Sequence, residues 1–489
     1  MKKRIISWLL LSAMLLSAVS CGENETDETK KPVNESTEET EDDKTPDFLP
    51  EGLTYNGEEF RFINGTSGGV SSSESEITYI LDDVKPADLV PEAVYERTRM
   101  AEEALDIHVV SETVGDGSLT SRISTSVLAK DNAFHAICGK VYTMGQTVAT
   151  GYLLDLKTVD TLDLTKTWWD QQINDTMTIV GKQFLFSGAL NYGDDYGVSC
   201  LTFNKDLFTQ RSIPYPYDLV REGKWTFDEF YNIIKDTRED LNNDGIYDEK
   251  DFCGFVGLCW SISEFVTGFG EPLCIKDDGG DIVINNSESL VNKCIYVADR
   301  IQNTGDVLIS ERVGYDRANT MFINDRALFQ REIVGGVAIG YREIESEFGI
   351  LPYPKFDETQ EGYYQPLNQH WSSTLAVPVT CSDLEMLGYV IDTMGYYSPD
   401  TIQKNVIEKG AMTRSVRDDD SAEMLELIFA TKVYDPIVVF NWGNYHEVWA
   451  MLGAQTEPKL ASTFATISTR VNKDIKKAVD KIAELKGID

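Results

Sequence analysis

The chain has 489 residues, 42% of them hydrophobic, so it is long enough to bury a core in each of two or more domains. Its 44 lysines and arginines face 81 aspartates and glutamates, and the formal net charge of −37 repels nucleic acids and anionic membrane surfaces. This balance excludes nucleic-acid partners and says little about a solute, because acidic surfaces mainly serve solubility.

The N-terminus has the three parts of an export signal. Lys2, Lys3 and Arg4 precede the apolar run IISWLLLSAMLLSAV, and small residues follow up to Cys21. The run is short for a membrane span. The stretch AVSC resembles the lipobox of bacterial lipoproteins, which implies that residues 1 to 21 are a lipoprotein signal peptide and that Cys21 is acylated at the cell surface. An ordinary secretory signal cut nearby is the alternative.

Residues 22 to 50 are rich in Asp, Glu and Thr and have no aromatic residue before Phe48. A segment of this composition cannot bury enough apolar surface to fold. It is predicted to be a disordered acidic tether, with a root-mean-square reach of roughly 30 Å.

From residue 53 onward, alternating and helical patterns follow each other. They predict strands at 53 to 64, 108 to 110 and 134 to 138, and helices at 92 to 105, 121 to 128 and 143 to 151. This order predicts an α/β fold with a mainly parallel sheet flanked by helices. Ligands of such sheets bind beyond the carboxyl ends of the strands, which here are residues 65 to 67 and 139 to 142.

Residues 223 to 255 contain two local signals in succession. Thr226 and Glu229 have the spacing of a capping box, and Trp225 and Phe230 that of a hydrophobic staple, so a helix is predicted to begin here. A strand is predicted at FCGF, which begins at Phe252.

The loop between that helix and that strand has the spacing of a calcium-binding loop. Oxygen ligands alternate along it and Gly245 supplies the turn, which predicts a structural Ca²⁺ held by Asp240, Asn242, Asp244, the carbonyl of Ile246, Asp248 and Asp251. Asp251 stands where an EF-hand has glutamate. A solvated acidic turn without metal is the alternative.

Several stretches in order resemble extracellular solute-binding proteins of ABC importers, the maltose-binding-protein-like bacterial lipoproteins. They are PEAVYERTRMAEEALDI, TWWDQQ, NKDLF, GKWTFDEF with the acidic loop, MFINDRALF, FGILPYPK and VRDDDSAEMLELIF. The resemblance implies a two-lobed type II periplasmic-binding-protein fold, each lobe having a mixed, mainly parallel sheet flanked by helices. Residues 51 to 200 and 321 to 370 are expected to form lobe one, and residues 201 to 320 and 371 to 489 lobe two, with crossings near residues 184 to 204 and 371 to 377.

The resemblance also implies a function. It is that of the lipid-anchored, monomeric substrate-binding component of an ABC importer, which captures a carbohydrate, an oligosaccharide, between its lobes and delivers it to permease subunits. Aromatic faces and hydrogen-bonding side chains suit a sugar. The candidate ligand-binding residues are Tyr192, Asp194, Asp195, Tyr196, Trp260, Asn368, Trp371, Trp442, Asn444 and Tyr445. For each of them, packing in the core is the alternative role.

Catalytic signatures are missing from the sequence. It has no GxSxG, HExxH, Walker or dinucleotide motif, and His108, His135, His370 and His446 lack metal-ligand spacing, so no catalytic residue is assigned. The cysteines after Cys21 show no CxxC pair, and most are expected to be small buried hydrophobes. A secreted glycoside hydrolase and a calcium-dependent cell-surface binding module remain the alternative functions.

Overall fold

The computed structural model describes residues 45 to 66, 76 to 77, 89 to 302, 304 to 341, 344 to 405 and 419 to 485. The predicted signal peptide, the predicted lipidation site at Cys21 and most of the predicted tether lie outside these residues.

The described residues include strands and helices in alternation. The strands are β1 (Glu58–Gly65), β2 (Ile107–Val114), β3 (Ala136–Lys140), β4 (Ser199–Asn204), β5 (Cys253–Gly257), β6 (Cys274–Lys276), β7 (Ile282–Ile284), β8 (Val307–Ile309), β9 (Ala327–Ile333), β10 (Phe348–Leu351), β11 (Gln365–Pro366), β12 (Ser373–Ala376) and β13 (Lys432–Val433). The helices are α1 (Leu89–Leu105), α2 (Asp116–Ala129), α3 (Val141–Val148), α4 (Gln171–Thr176), α5 (Gly193–Tyr196), α6 (Lys205–Gln210), α7 (Tyr217–Arg221), α8 (Phe227–Ile234), α9 (Ser261–Gly268), α10 (Glu288–Ile301), α11 (Ser310–Val313), α12 (Tyr315–Ile323), α13 (Val334–Gly340), α14 (Leu384–Ser398), α15 (Asp419–Ala430), α16 (Pro436–Phe440), α17 (Tyr445–Gly453) and α18 (Leu460–Glu484).

Two larger sheets organise these elements. The first has the order β12, β3, β1, β2, in which β1 pairs parallel with β2 and β3, and β12 pairs antiparallel with β3. The second has the order β10, β4, β9, β5, β8, in which β5 pairs parallel with β8 and β9, and β4 pairs antiparallel with β9 and β10. Both sheets are mixed and helices connect their strands, which confirms the predicted fold class.

The predicted assignment of residues 321 to 370 to lobe one is wrong for two strands. β9 and β10 hydrogen-bond on either side of β4, so both belong to the second sheet. The stretch at 371 to 377 carries the chain back to the first sheet, since β12 pairs with β3 there. α14 then packs against α1, although it was expected in lobe two. The sequence pattern shows that these strands are buried but does not show which partners they have.

The predicted tether, residues 22 to 50, ends before residue 50. Phe48 packs against Trp168 with ring centroids 5.7 Å apart and against Tyr396 at 6.0 Å. Pro46 is buried, and Leu49 packs on the hydrophobic cluster behind the first sheet. Residues from Pro46 onward are therefore anchored to the folded part of the chain.

The start of α8 has the Thr226 half of the predicted capping box and the predicted hydrophobic staple. Thr226 Oγ1 accepts a hydrogen bond from the backbone N–H of Glu229 at 3.4 Å, and the rings of Trp225 and Phe230 meet edge to face at 6.2 Å. Trp225 is fully buried and its Nε1–H donates to the carbonyl of Pro352 at 3.0 Å. This helix start is therefore held both by its own cap and by the segment that follows β10.

The cysteines in the described part of the chain are free and buried, as expected for small hydrophobes; they are Cys138, Cys200, Cys253, Cys259, Cys274, Cys294 and Cys381. Among the helices that the structure describes, none is both long and apolar enough to cross a membrane.

Candidate functional site

A cavity of about 320 Å³ lies where the segment between the two sheets meets the C-terminal helices. Its wall combines the end of β9, the turn before α9 with α9 itself, the crossing segment at residues 366 to 371, and α16 and α17. The aromatic, ionisable and amide side chains in this wall are those of Trp260, Glu264, Glu311, Arg331, Glu332, Asn368, Gln369, His370, Trp371, Tyr445, His446 and Trp449.

The crossing segment, residues 366 to 371, is fixed by backbone hydrogen bonds to the start of α3 and to the residue that follows α5. Tyr142 N–H, just beyond β3, donates to the carbonyl of Gln369 at 3.0 Å, and Asn368 N–H donates to the carbonyl of Gly197 at 2.9 Å. The carboxyl end of β3 was predicted to lie at the binding site, and Tyr142 contacts the wall there. The cavity is thus built on a junction between the sheets, where ligands of open α/β folds bind.

Four rings form a continuous row along this wall. Trp260 stacks on His446 with ring centroids 4.7 Å apart and an interplanar angle of 24°. His446 Nε2 lies 3.2 Å from His370 Nε2, and His370 contacts Tyr142 at 4.6 Å. The row joins β3 and α3 to α9 and α17. The sequence analysis missed it, because residues 76 positions apart carry no spacing signal.

The two histidines are favoured in their neutral form. Burial, followed by the proximity of His446 and Lys140, lowers the pKa of His370 to about 4. Burial also lowers the pKa of His446. One Nε2 then donates its proton to the other, since two imidazolium rings at this distance would have no acceptor.

In the folded protein, the ring protons of His370 are expected to titrate near pH 4 in an NMR experiment. A depressed folded pKa contributes stability above the unfolded value of about 6.5, and that stability is lost as the pH falls through the folded pKa. The same residue in the urea-unfolded chain is the control and is expected to titrate near 6.5. Assignment follows from the signal lost in His370→Gln; a folded midpoint at or above 6.5 would contradict the burial of this pair.

Arg331 and Glu264 form a buried ion pair behind the cavity surface. Arg331 Nε donates to both carboxylate oxygens of Glu264 at 2.9 Å, and Nη2 donates to Ser199 Oγ at 2.9 Å and to Glu264. Glu264 also accepts from Ser199 at 3.1 Å and from Tyr353 at 2.9 Å. Burial opposes the charge of Arg331, but the combined effect of Glu264, Tyr353 and Glu332 still raises its pKa. Arg331, the only lysine or arginine in the described cavity wall, is therefore already paired with Glu264.

Gln369 carries polar atoms without a partner at the cavity. Its side chain is 3% exposed, and neither its amide oxygen nor its amide nitrogen has a hydrogen-bond partner in the described part of the chain. Trp260 Nε1 is likewise buried without a partner among those residues. Buried polar groups are normally satisfied, so such groups beside a cavity indicate a place for a hydrogen-bonding ligand or for ordered water.

Four of the predicted ligand-binding residues meet in this cavity: Trp260, Asn368, Trp371 and Tyr445. One face of Trp260 is covered by His446, and Asn368 Oδ1 accepts from His370 N–H at 3.0 Å. Tyr445 is buried, with its ring edge-on to Trp449. The structure therefore brings these residues together from three separate stretches of sequence.

The predicted role of Trp442 and Asn444 in ligand binding is not supported by their positions. Trp442 is buried and stacks on Phe440 at 4.8 Å, while Asn444 is exposed and has a positive φ of 53° at the start of α17. Neither residue lines the cavity. Their place in a glycine-broken stretch reflects a tight connection between helices rather than a ligand contact.

Tyr192, Asp194, Asp195 and Tyr196 do not line this cavity. Asp195 lines a second cavity of about 310 Å³, together with Asp170 and Lys432. The two tyrosines pack edge to face at 5.2 Å within a small buried cluster. Asp194 and Asp195 accept hydrogen bonds from Lys432 Nζ at 2.6 and 2.9 Å, and Asp194 also accepts from Tyr434. Their acidic pattern is explained by this buried lysine, which lies more than two hundred residues away in the sequence.

Lys432 is surrounded by carboxylates. Asp170, at the start of α4, lies 3.4 Å from its Nζ and completes a group of three with Asp194 and Asp195. Burial opposes the ammonium charge, but these three carboxylates together raise the pKa of Lys432. Burial, with Asp170 and Asp195 adding, raises the pKa of Asp194 to about 7 against the pull of Lys432. This cluster holds the chain together between α4, α5 and β13.

The acidic loop at residues 240 to 251 turns as predicted but directs its oxygens at its own backbone. Asp240 accepts from Gly245 N–H at 2.9 Å, Asp244 from Ile246 N–H at 2.7 Å and Asp248 from Lys250 N–H at 2.9 Å. Gly245 has the positive φ of 73° that favours glycine. The oxygen donors suit Ca²⁺ chemically, yet no group of three His, Cys, Asp or Glu side chains placed to hold a metal occurs among the described residues.

Comparison with known proteins agrees with this architecture. The model of the family described as bacterial extracellular solute-binding protein matches residues 87 to 382. Among curated proteins none matches the sequence significantly. The chain belongs to the bacterial extracellular solute-binding protein family.

Solved structures similar in fold include three sugar-binding proteins. A cyclo/maltodextrin-binding protein in complex with maltotetraose superimposes with a TM-score of 0.55 at 13% identity, covering 89% of this chain and 100% of that one. A cyclic alpha-maltosyl-1,6-maltose binding protein from Arthrobacter globiformis gives 0.54 at 15% identity, with 86% and 100% coverage. An ABC substrate-binding protein from Listeria monocytogenes in complex with cycloalternan gives 0.51 at 13%, with 88% and 98% coverage. At these identities the similarity shows the two-lobed type II fold and no more.

Proposed function

We propose that the chain is the lipid-anchored substrate-binding component of an ABC importer and captures a carbohydrate, an oligosaccharide, in the cavity lined by Trp260 and Trp371. The observation that carries the proposal is this cavity, which combines aromatic rings with buried polar atoms that find no partner among the described residues. Sugars present apolar ring faces and hydroxyl groups, and such a wall is complementary to both.

The volume of the cavity suits a small ligand. At about 320 Å³ it lies at the lower end of the range for small-molecule sites, which is roughly 300 to 1,000 Å³. An oligosaccharide would place one or two residues inside and extend toward the opening. A solute that contacts both sides of the cavity favours the conformation in which both contacts are made, which is a population shift of the binding protein. The importer would recognise the protein in that conformation.

The anchor and the importer follow from the N-terminal sequence and the family. Cys21 is the proposed site of acylation, and the acidic segment after it is the proposed tether to the membrane. The transported solute would be released to permease subunits without any bond being made or broken. Radiolabelled palmitate incorporation in the wild type, and its loss in Cys21→Ser, tests the anchor; secretion of an unlabelled wild-type protein would contradict it.

A thermal-shift screen tests the proposed solute class. The protein is heated with maltotriose, maltotetraose, cello-oligosaccharides, sugar monomers, amino acids and short peptides. A solute present at one hundred times its dissociation constant is expected to add about 2.7 kcal/mol to the free energy of unfolding. Stabilisation by peptides or amino acids alone would contradict a carbohydrate. Mass spectrometry of the same samples detects cleavage, which is the outcome expected of the alternative glycoside hydrolase.

The calcium site at residues 240 to 251 is a second, independent part of the proposal. We expect Ca²⁺ to raise the unfolding temperature of EDTA-treated protein, because binding to the folded state alone stabilises it. Asp244→Asn is expected to weaken the effect, whereas Asp277→Asn, in an exposed acidic turn elsewhere, is the control. An identical melting curve with EDTA and with Ca²⁺ would contradict the calcium site and leave the solute site unaffected.

A further inference from the structure

We infer that the cavity selects its solute by charge, so that it favours a sugar bearing a protonated amine and excludes a sugar bearing a carboxylate. The inference rests on the proposed function, since it concerns the same cavity. The ionisable groups in the wall are Glu264, Glu311, Arg331, Glu332, His370, Tyr445 and His446.

The positive groups in this wall are unavailable to an anion. Arg331 is 3% exposed at its side chain and is paired with Glu264 through several hydrogen bonds. His370 and His446 bond to each other through their Nε2 atoms, 3.2 Å apart. A solute carboxylate would therefore have to enter without any free cationic partner in the described wall, and burying an unpaired charge is costly.

Two carboxylates remain once Arg331 and Glu264 are set aside. Glu311 accepts from Cys259 N–H at 2.9 Å and from Ser310 Oγ at 3.3 Å. Glu332 accepts from Ile333 N–H at 2.9 Å. In the described part of the chain neither forms an ion pair with lysine or arginine. The donors to Glu311 are all neutral groups. Burial raises the pKa of Glu332 and the nearby Arg331 opposes that shift, so a solute ammonium entering the cavity would further favour the ionised form of Glu332.

A separate observation indicates that a ligand belongs here. Gln369 lines the same cavity, is 3% exposed, and has both of its amide heteroatoms without a hydrogen-bond partner among the described residues. An amide offers one acceptor and one donor group side by side, which matches a hydroxyl next to another hydroxyl or next to an amine. An amino sugar satisfies both Gln369 and the neighbouring carboxylates.

The test compares sugars of the same gluco configuration that carry a neutral, an amine or a carboxylate group, using isothermal titration calorimetry. The matched set is glucose, glucosamine, N-acetylglucosamine and glucuronate, each as the monosaccharide and as the β-1,4-linked tetramer. We expect the amine form to bind about tenfold more tightly than the neutral forms at low ionic strength, a size typical of a close charge pair screened by solvent. Added salt is expected to reduce this ratio, and the uronate is expected not to bind.

Variants identify the groups responsible. Glu311→Gln and Glu332→Gln keep an acceptor for the backbone N–H groups but remove the charge, so each is expected to reduce the preference for the amine several-fold. Glu58→Gln is the matched control, because Glu58 is exposed at the start of β1, which does not line the cavity. Circular dichroism checks that each variant is folded.

The outcomes separate the inference from the proposed function. Equal affinity for neutral and amine forms, or binding of the uronate, overturns selection by charge while a carbohydrate-binding cavity stands. An amine preference that survives both glutamine variants overturns the assignment to Glu311 and Glu332. If no sugar in this set or in the thermal-shift screen binds, the proposed function fails and the inference fails with it.

Discussion

Replacing Arg331 with methionine is expected to lower the free energy of unfolding by about 3 to 5 kcal/mol, the cost of leaving one member of a buried ion pair uncompensated. Glu264 would keep its hydrogen bonds from Ser199 and Tyr353 but lose every cationic partner that the described structure gives it. Urea unfolding followed by circular dichroism measures the change.

The double variant Glu264→Met with Arg331→Met is the control for this prediction. Because it removes both charges, it is expected to be more stable than Arg331→Met alone, with a coupling of roughly 0.5 to 3 kcal/mol between the two positions. A single variant as stable as the wild type would show that Glu264 is solvated or protonated. In that case the wall of the cavity would not have the charge distribution described above.

Replacing Lys432 with methionine is expected to cost a similar amount, about 3 to 5 kcal/mol. Its ammonium group is the common partner of Asp170, Asp194 and Asp195, and its side chain is only 9% exposed. Lys476→Met is the matched control, since Lys476 is 71% exposed in a pair with Asp480 and such surface pairs contribute about 0 to 1 kcal/mol. Equal losses in the two variants would contradict the buried cluster.

A variant of Asp194 distinguishes a structural role in this cluster from a role in ligand binding. Sequence alone placed Asp194 among the ligand-binding residues, whereas its carboxylate lies against Lys432 and Tyr434. Asp194→Asn is therefore expected to reduce stability and to leave the affinity for a bound sugar nearly unchanged at a temperature where the variant is folded. A large loss of affinity without a loss of stability would restore the original assignment.

Local signals in the sequence were reliable where the interactions are local. The Thr226 cap of α8 and the alternation of strands and helices around β1 to β3 follow from side chains a few residues apart, and the structure confirms both. The resemblance to solute-binding proteins supplied the fold class for the same reason, since it rests on short ordered strings. Neither local patterns nor short similar strings indicate which strands pair with each other. For this reason the prediction assigned β9 and β10 to the wrong sheet.

The site depends on contacts that no spacing reveals. Trp260 and Trp371 were predicted because aromatic faces near the expected cleft suit a sugar, but the same argument selected Trp442, which packs in the core. His370, His446 and Gln369 were not predicted, because only the fold brings the two histidine rings into contact. Only the fold, too, buries the Gln369 amide where the described residues offer it no hydrogen-bond partner.

The most direct test of the account measures the affinity of the best oligosaccharide from the thermal-shift screen for three tryptophan variants. Trp260→Ala and Trp371→Ala, which remove cavity-lining rings, are expected to weaken binding by roughly thirtyfold, as for aromatic hot spots worth about 2 kcal/mol. Trp442→Ala, studied at low temperature to keep it folded, is expected to bind like the wild type. Loss of binding in Trp442→Ala, with wild-type affinity in the other two, would show that the solute binds elsewhere.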